Sequence, residues 1–201
     1  MNAAPAPARN DKSAVVDAAM RVLSENGLPG LSMRRIADEL DVQVSALYWH
    51  FPNKQALLAA VSARIVGDAD ATSGSEGIAA ADAEVVAARL RDRLLAHRDG
   101  AEIVSSSLAL GLLSLPAHAD LARAGRELGL DDAAAEIAAD TVVHYVIGYT
   151  FHEQQRLYAA VVGAADASVD LAPGQIDERG GSFDAGLRMI VAGVRATAAV
   201  S

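Results

Sequence analysis

Cysteine is absent from this chain of 201 residues, which removes disulfides, thiolate metal sites and cysteine nucleophiles at once. Aromatic residues are scarce as well: one tryptophan, three phenylalanines and four tyrosines, or 4%. Hydrophobic residues still make up 52%, much of it alanine, the best helix former and a residue depleted in strands. No apolar run is long enough for a bilayer. The longest, around Thr141–Phe151, is short and interrupted by His144. No basic start leads into an apolar stretch, so no secretory signal is expected and the protein is read as soluble and cytoplasmic, without a membrane partner. Strand-like alternation and internal repeats are also missing. The expected fold class is all-α.

Net charge is −9, an unpromising balance for a nucleic-acid partner. The charge is unevenly spread, however. Residues 1–60 hold six basic and six acidic side chains, whereas residues 61–201 hold eleven and twenty. A neutral module therefore precedes an acidic body. Charge permits a DNA-facing end, and only a motif can argue for one.

Periodicity and caps divide the chain. Residues 1–10, rich in Pro and Ala, read as a disordered arm. Asp11 caps a first helix bearing Val15, Ala18, Ala19, Val22 and Leu23, which Gly27, Pro29 and Gly30 end. Ser32 caps a second with Met33, Ile36, Ala37 and Leu40 on one face. The break Asp41-Val42-Gln43 leads into a short helix over Val44–Phe51, stopped by Pro52, and Asn53 caps a fourth. Thr72–Gly77 reads as a joint. Helices follow at about Asp82–Arg98, Ala101–Leu113, after Pro116 and at Asp131–Val162. Residues 163–182 read as a mobile loop, and a last helix covers Phe183–Ala199.

The second and third helices with their three-residue turn fit a helix-turn-helix. Leu47 and Phe51, four apart, can pack inward on the third helix, leaving Val44, Ser45, Ala46, Tyr48, Trp49 and His50 largely outward. Outward Tyr, Trp and His suit a duplex, where the Tyr hydroxyl and the Trp N–H reach phosphates and the small residues admit the helix to the groove. Lys54 opens the fourth helix, whose N–H groups and positive dipole end favour a phosphate. Arg34, near the start of the second, suits a phosphate or a guanine edge. The alternative is an αα corner whose aromatics pack on a neighbouring domain.

The stretches G-L-S-M-R-R-I-A-D-E-L-D-V at Gly30–Val42 and S-A-L-Y-W-H-F-P-N-K-Q-A-L-L at Ser45–Leu58 resemble the DNA-binding domain of the TetR family. R-D-G-A at Arg98–Ala101, G-Y-T-F-H-E-Q-Q at Gly148–Gln155 and F-D-A-G-L at Phe183–Leu187 resemble its tetracycline-repressor branch. The resemblance implies a repressor with an N-terminal three-helix DNA-binding domain over 1–66 and a C-terminal effector-binding and dimerisation domain over 67–201. It implies DNA contacts from Arg34, Val44, Ser45, Ala46, Tyr48, Trp49, His50 and Lys54. Asp41 stands where many members have glycine, and Gln43 where many have a capping serine. Val44-Ser45-Ala46 replaces the Gln-Pro-Thr of that branch, implying a different operator.

The resemblance also implies an interhelical pocket, with Leu90, Val104, Leu108, His118, His144, Tyr145, Tyr149 and His152 as candidate lining. Val104 replaces the branch's metal-ligating histidine, and Val86 and Leu90 replace polar positions. An apolar or weakly polar organic effector is expected, with no metal or cofactor. An apolar stripe of Phe183, Gly186, Leu187, Ile190, Val191 and Val194 is assigned to a homodimer interface, and two-fold symmetry calls for a pseudo-palindromic duplex.

Enzyme signatures fail individually. His152-Glu153 begins H-E-x-x-H, but Arg156 holds the second ligand position. His144 and His152 lie eight residues apart, about 12 Å along a helix, too far to share a metal. Neither a Gly-x-Ser-x-Gly elbow nor a phosphate loop occurs. The rival reading is a helical small-molecule-binding protein or enzyme without DNA function.

Overall fold

A computed structural model describes residues 11–67, 83–162 and 174–200, and among these there are helices and no strand. The expected arm at 1–10 and the joint at Thr72–Gly77 lie outside the described residues. In chain order the helices are α1 (Lys12–Gly30), α2 (Met33–Glu39), α3 (Val44–Tyr48), α4 (Lys54–Val66), α5 (Ala83–Leu95), α6 (Gly100–Ala109), α7 (Pro116–Glu127), α8 (Asp132–Val162) and α9 (Gly174–Ala198).

Local chemistry accounts for four of the helix starts. The Asp11 carboxylate accepts from Ala14 N at 3.0 Å, Ser32 Oγ from Arg35 N at 3.2 Å, Asn53 Oδ1 from Ala56 N at 2.8 Å and Asp131 Oδ1 from Ala134 N at 2.8 Å. Each satisfies an amide that a helix start leaves unpaired. The α1 segment is broken at Gly27, whose φ of 68° only glycine adopts without strain. Four boundaries differ from expectation, the first being the end of α5 at Leu95 rather than at about Arg98. The regular part of α3 stops at Tyr48, although Phe51 N still donates to Leu47 O at 2.9 Å. The α6 helix ends at Ala109, where Gly111 takes a φ of 66°. The last helix already runs from Gly174, so the loop expected over 163–182 is helical in its second half; residues 163–173 lie outside the described set.

In the head, α1 packs on α2 and α4, and α2 on α3, around Val15, Leu23, Ile36, Leu47 and Val61. That core is continuous with the rest. Through Ile65 and Val66 it runs into Leu90, Leu94, Ile103 and Val104, and on to Val146, Phe183 and Leu187. The α4 helix is the bridge between the two, with one side against α1 and the other against α5 and α6. At its centre the buried Ser62 hydroxyl bonds Ile103 O at 3.2 Å and Ser107 Oγ at 2.8 Å. Beyond it, α7 lies along α8, and α9 packs on α5 and α8.

Candidate nucleic-acid interface and effector domain

The turn between α2 and α3 is built by backbone bonds. Asp41 N donates to Asp38 O at 3.3 Å and Val42 N to Ala37 O at 3.0 Å, the paired bonds of a Schellman cap. Asp41 occupies the left-handed position with φ 53°, as its short polar side chain permits. Gln43 precedes α3 without a side-chain capping bond. Two anchors hold α3 against α2, since Leu47 and Phe51 are buried. The opposite face is open: Trp49 is 89% exposed and Tyr48 is 50% exposed. Burying so little of two large aromatics costs hydrophobic stabilisation, so this face is built for contact with something else.

Ser45, Lys54 and Arg34 are exposed beside them, whereas Val44, Ala46 and His50 are half-buried. Val44 packs on the core, so its expected outward role is reduced. Neighbouring cations are engaged elsewhere: Arg35 Nη1 donates to Asn26 Oδ1 at 2.7 Å and Arg21 Nε to Glu39 Oε1 at 2.8 Å. Lys54 stands at the first turn of α4, next to the Asn53 cap. The result is a small-residue edge flanked by exposed aromatics and two exposed cations.

The expected effector residues fall into two groups. Leu90 and Val104 are buried, and Leu108, Tyr145 and Tyr149 are packed against the same core. Around Phe183 the rings of Tyr145 and Tyr149 close in, with centroids 5.4 and 5.3 Å away, and the Arg91 guanidinium lies 4.9 Å from the Phe183 centroid. Arg91 also holds Glu153 bidentately, with Nη2–Oε1 at 2.8 Å and Nε–Oε2 at 3.2 Å. Burial pushes the Tyr145 hydroxyl pKa upward, as does the neighbouring Tyr149. That hydroxyl donates to Phe183 O at 2.9 Å.

The three histidines do not join this cluster. His144 and His152 are exposed on α8, and His144 Nδ1 bonds the backbone oxygen of Asp140 one turn back. His118 pairs with Asp140 Oδ1 at 3.0 Å near the surface. A helix sends residues four and eight apart to one side, and here that side faces away from the core.

The interface stripe needs a similar correction. Phe183, Leu187 and Val191 are buried within the protomer, and a Cβ at Gly186 would collide with the Tyr145 hydroxyl. Ile190 packs on the same core, and half-buried Val194 lines an apolar cavity of about 20 Å³ with Leu121, Ala139 and Val142. The clean periodicity of α9 thus marks its attachment to its own protomer. Its outward residues include Met189, Gly193 and Ala196.

Four residues of evident structural weight are not among the expected site residues: Arg91 lies in no motif, and Asp99, Thr150 and Gln154 lie within the R-D-G-A and G-Y-T-F-H-E-Q-Q stretches, which mark the branch without giving these residues a role. The Thr150 side-chain oxygen is fully buried without a hydrogen-bond partner. Among the described residues no helix is long and apolar enough to cross a membrane, and no cluster of His, Asp or Glu could hold a metal.

A helical head with an exposed recognition helix, fused through α4 to a larger helical body, defines the class of helix-turn-helix regulators with an appended sensory domain. Residues 15–61 match the family model of bacterial regulatory proteins of the tetR family, and 75–173 match the tetracyclin repressor-like C-terminal domain. The chain belongs to the TetR family. It is 33% identical over 197 residues to the class A tetracycline repressor protein from transposon 1721 of Escherichia coli, covering 90% of this chain and 88% of that protein. It is similar to Mycobacterium smegmatis BioQ, at TM-score 0.73 and 39% identity over 92% of this chain and 98% of that one. BioQ has also been solved with its natural double-stranded DNA operator. A single-residue variant of TetR from Acinetobacter baumannii AYE, solved in complex with minocycline, is similar at TM-score 0.70 and 29% identity over 94% of this chain and 98% of that one.

Proposed function

We propose that the protein is a homodimeric transcriptional repressor that binds a pseudo-palindromic operator through α3 and releases it when a small organic molecule occupies the body. The observation that carries this reading is the bare aromatic edge of α3, with Trp49 89% exposed beside Tyr48, Ser45 and Lys54. Tyr48, Trp49, Lys54 and Arg34 position phosphates, and Ser45 and Ala46 read base edges, with Val44 and His50 at the margin. The head spans residues up to 66 and the body follows from 67.

The effector site is the region of Leu90, Val104, Leu108, Tyr145 and Tyr149, apolar apart from the tyrosine hydroxyls, buried Thr150 and the Arg91–Glu153 pair beside Phe183. A valine at 104 offers no metal ligand, so effector binding is expected to be insensitive to chelators.

Dimerisation uses the outward faces of α8 and α9: Ile137, Thr141, His144, Gly148 and His152 on one, Met189, Gly193 and Ala196 on the other. Ile137 is 67% exposed and Met189 is 75% exposed. A Cβ at Gly148 or Gly193 would meet nothing within 4 Å, so another backbone could approach closely at both.

The test uses a duplex selected by the wild-type protein from a random pool. Tyr48→Ala and Lys54→Ala should weaken binding to every duplex, while Ser45→Gln should change which bases are preferred, by about 1–3 kcal/mol per affected contact. Unchanged affinity and preference in all three would place the DNA surface elsewhere.

A further inference from the structure

We propose that Gln154 is the positioning residue through which the long helix α8 sets the placement of the DNA-reading head. The inference rests on the regulatory reading above and adds the physical link between sensor and reader.

The carboxamide of Gln154 is fully engaged on one short turn. Its Oε1 accepts from Ala101 N at 3.1 Å, while its Nε2 donates to Leu94 O at 2.9 Å and to His97 O at 2.8 Å. Leu94 O belongs to the last turn of α5, and Ala101 N to the first turn of α6. One side chain thus satisfies groups at two helix ends, which otherwise need separate caps.

That arrangement frees Asp99. As the residue before α6 it would ordinarily cap that helix, yet its side chain makes no capping bond. Its Oδ2 instead accepts from Leu28 N in the head, at 2.7 Å. The adjacent Arg98 Nη1 donates to Glu25 O, another head carbonyl, at 3.0 Å. Asp99 achieves this from a left-handed backbone, φ 54°, which an aspartate tolerates as Asp41 does and which the bonds around the turn keep in place. Gln154 holds the turn from two sides. The head is shaped to receive it: a Cβ at Gly27 would stand 2.7 Å from Asp99 Oδ2 and 2.9 Å from Arg98 Nε. Arg98 also lies 5.4 Å from the ring centroid of Tyr158, one helical turn beyond Gln154.

The path is therefore short and continuous. Displacing α8 moves Gln154, which releases the 95–100 turn, which withdraws Asp99 and Arg98 from the α1 end. Glu153, next to Gln154, is tied to Arg91 and so to the Phe183 cluster. A body whose interior rearranges around a ligand would move both residues together.

The experiment measures amide hydrogen exchange by mass spectrometry on the full chain carrying Gln154→Ala, Gln154→Glu or Asp99→Ala. Gln154→Glu retains size but loses both donors, guarding against a simple packing defect in Gln154→Ala; circular dichroism checks that each variant is folded. Exchange in the segment 24–31 should accelerate about tenfold in all three, with segment 33–39 at the wild-type rate. Acceleration confined to 94–103 in the Gln154 variants would overturn the proposal. In parallel, the double variant Gln154→Ala/Asp99→Ala should bind the selected duplex no differently from Asp99→Ala alone, because the two act in series. Additive losses would also overturn it. Failure of the wild type to select any duplex would refute the DNA-binding reading, while the exchange result would still decide the role of Gln154.

Discussion

Among single residues, the most informative are polar groups placed where the core should be apolar. Thr150 is one. An unpaired buried hydroxyl retains the desolvation cost of about 1–3 kcal/mol that a partner would offset. Thr150→Val, which keeps the shape and removes the hydroxyl, is therefore expected to raise the midpoint of urea unfolding. An unchanged or lowered midpoint would mean that the hydroxyl has a partner in solution. His97 makes a second case. Burial lowers its pKa below 6.5, so the unfolded chain binds more protons than the folded one as pH falls past that value. Stability should fall as the pH drops through 6.5 and below, and His97→Asn should flatten that slope. The loss should localise to the turn that carries Asp99, and exchange at 94–103 measured at pH 7.5 and 5.5 would show it.

At the scale of elements, the chain's own chemistry decides where helices begin more firmly than which way they face. Asp11, Ser32 and Asn53 each cap the helix they are expected to open, and Asp131 caps one expected to begin at it, because a cap depends only on residues two or three positions away. The α2–α3 turn is equally local. Asp41→Gly should stabilise the head by up to about 1 kcal/mol by removing the left-handed penalty, and Asp41→Val should destabilise it, as thermal unfolding would report. Orientation is a different matter. The stripe Phe183-Leu187-Val191 is visible in the sequence as an apolar face, but periodicity does not say whether that face meets its own protomer or a second copy. The small size of Gly186 admits Tyr145, and the burial of Phe183 depends on residues from positions 91 to 149. The histidines depart from expectation for the same reason: their type suggests a pocket, whereas their helical phase directs them outward. The Gln154 clamp spans separations of 53 to 60 residues and leaves no local pattern to read.

At the scale of the whole molecule, the proposed function requires two surfaces to act together, the α3 edge and the outward faces of α8 and α9. The burial pattern separates structural from associative roles. Leu187→Asp should unfold the protomer, because it places a charge in a side-chain site only 2% exposed. Gly193→Arg or Met189→Glu should leave helicity intact and shift sedimentation from dimer to monomer. Retention of the dimer by both would move the interface off α9. Two-fold symmetry then sets the DNA prediction, since two recognition helices on one dimer demand paired half-sites.

The most direct measurement is selection from a random duplex pool by the wild-type protein, followed by titration of the selected sequence and of its isolated half. The expected result is an inverted repeat with half-site centres about 34–36 Å apart or slightly more, an isolated half-site bound far more weakly, and weaker binding to both on Tyr48→Ala. Enrichment of no symmetric sequence, or full affinity in Tyr48→Ala, would contradict it.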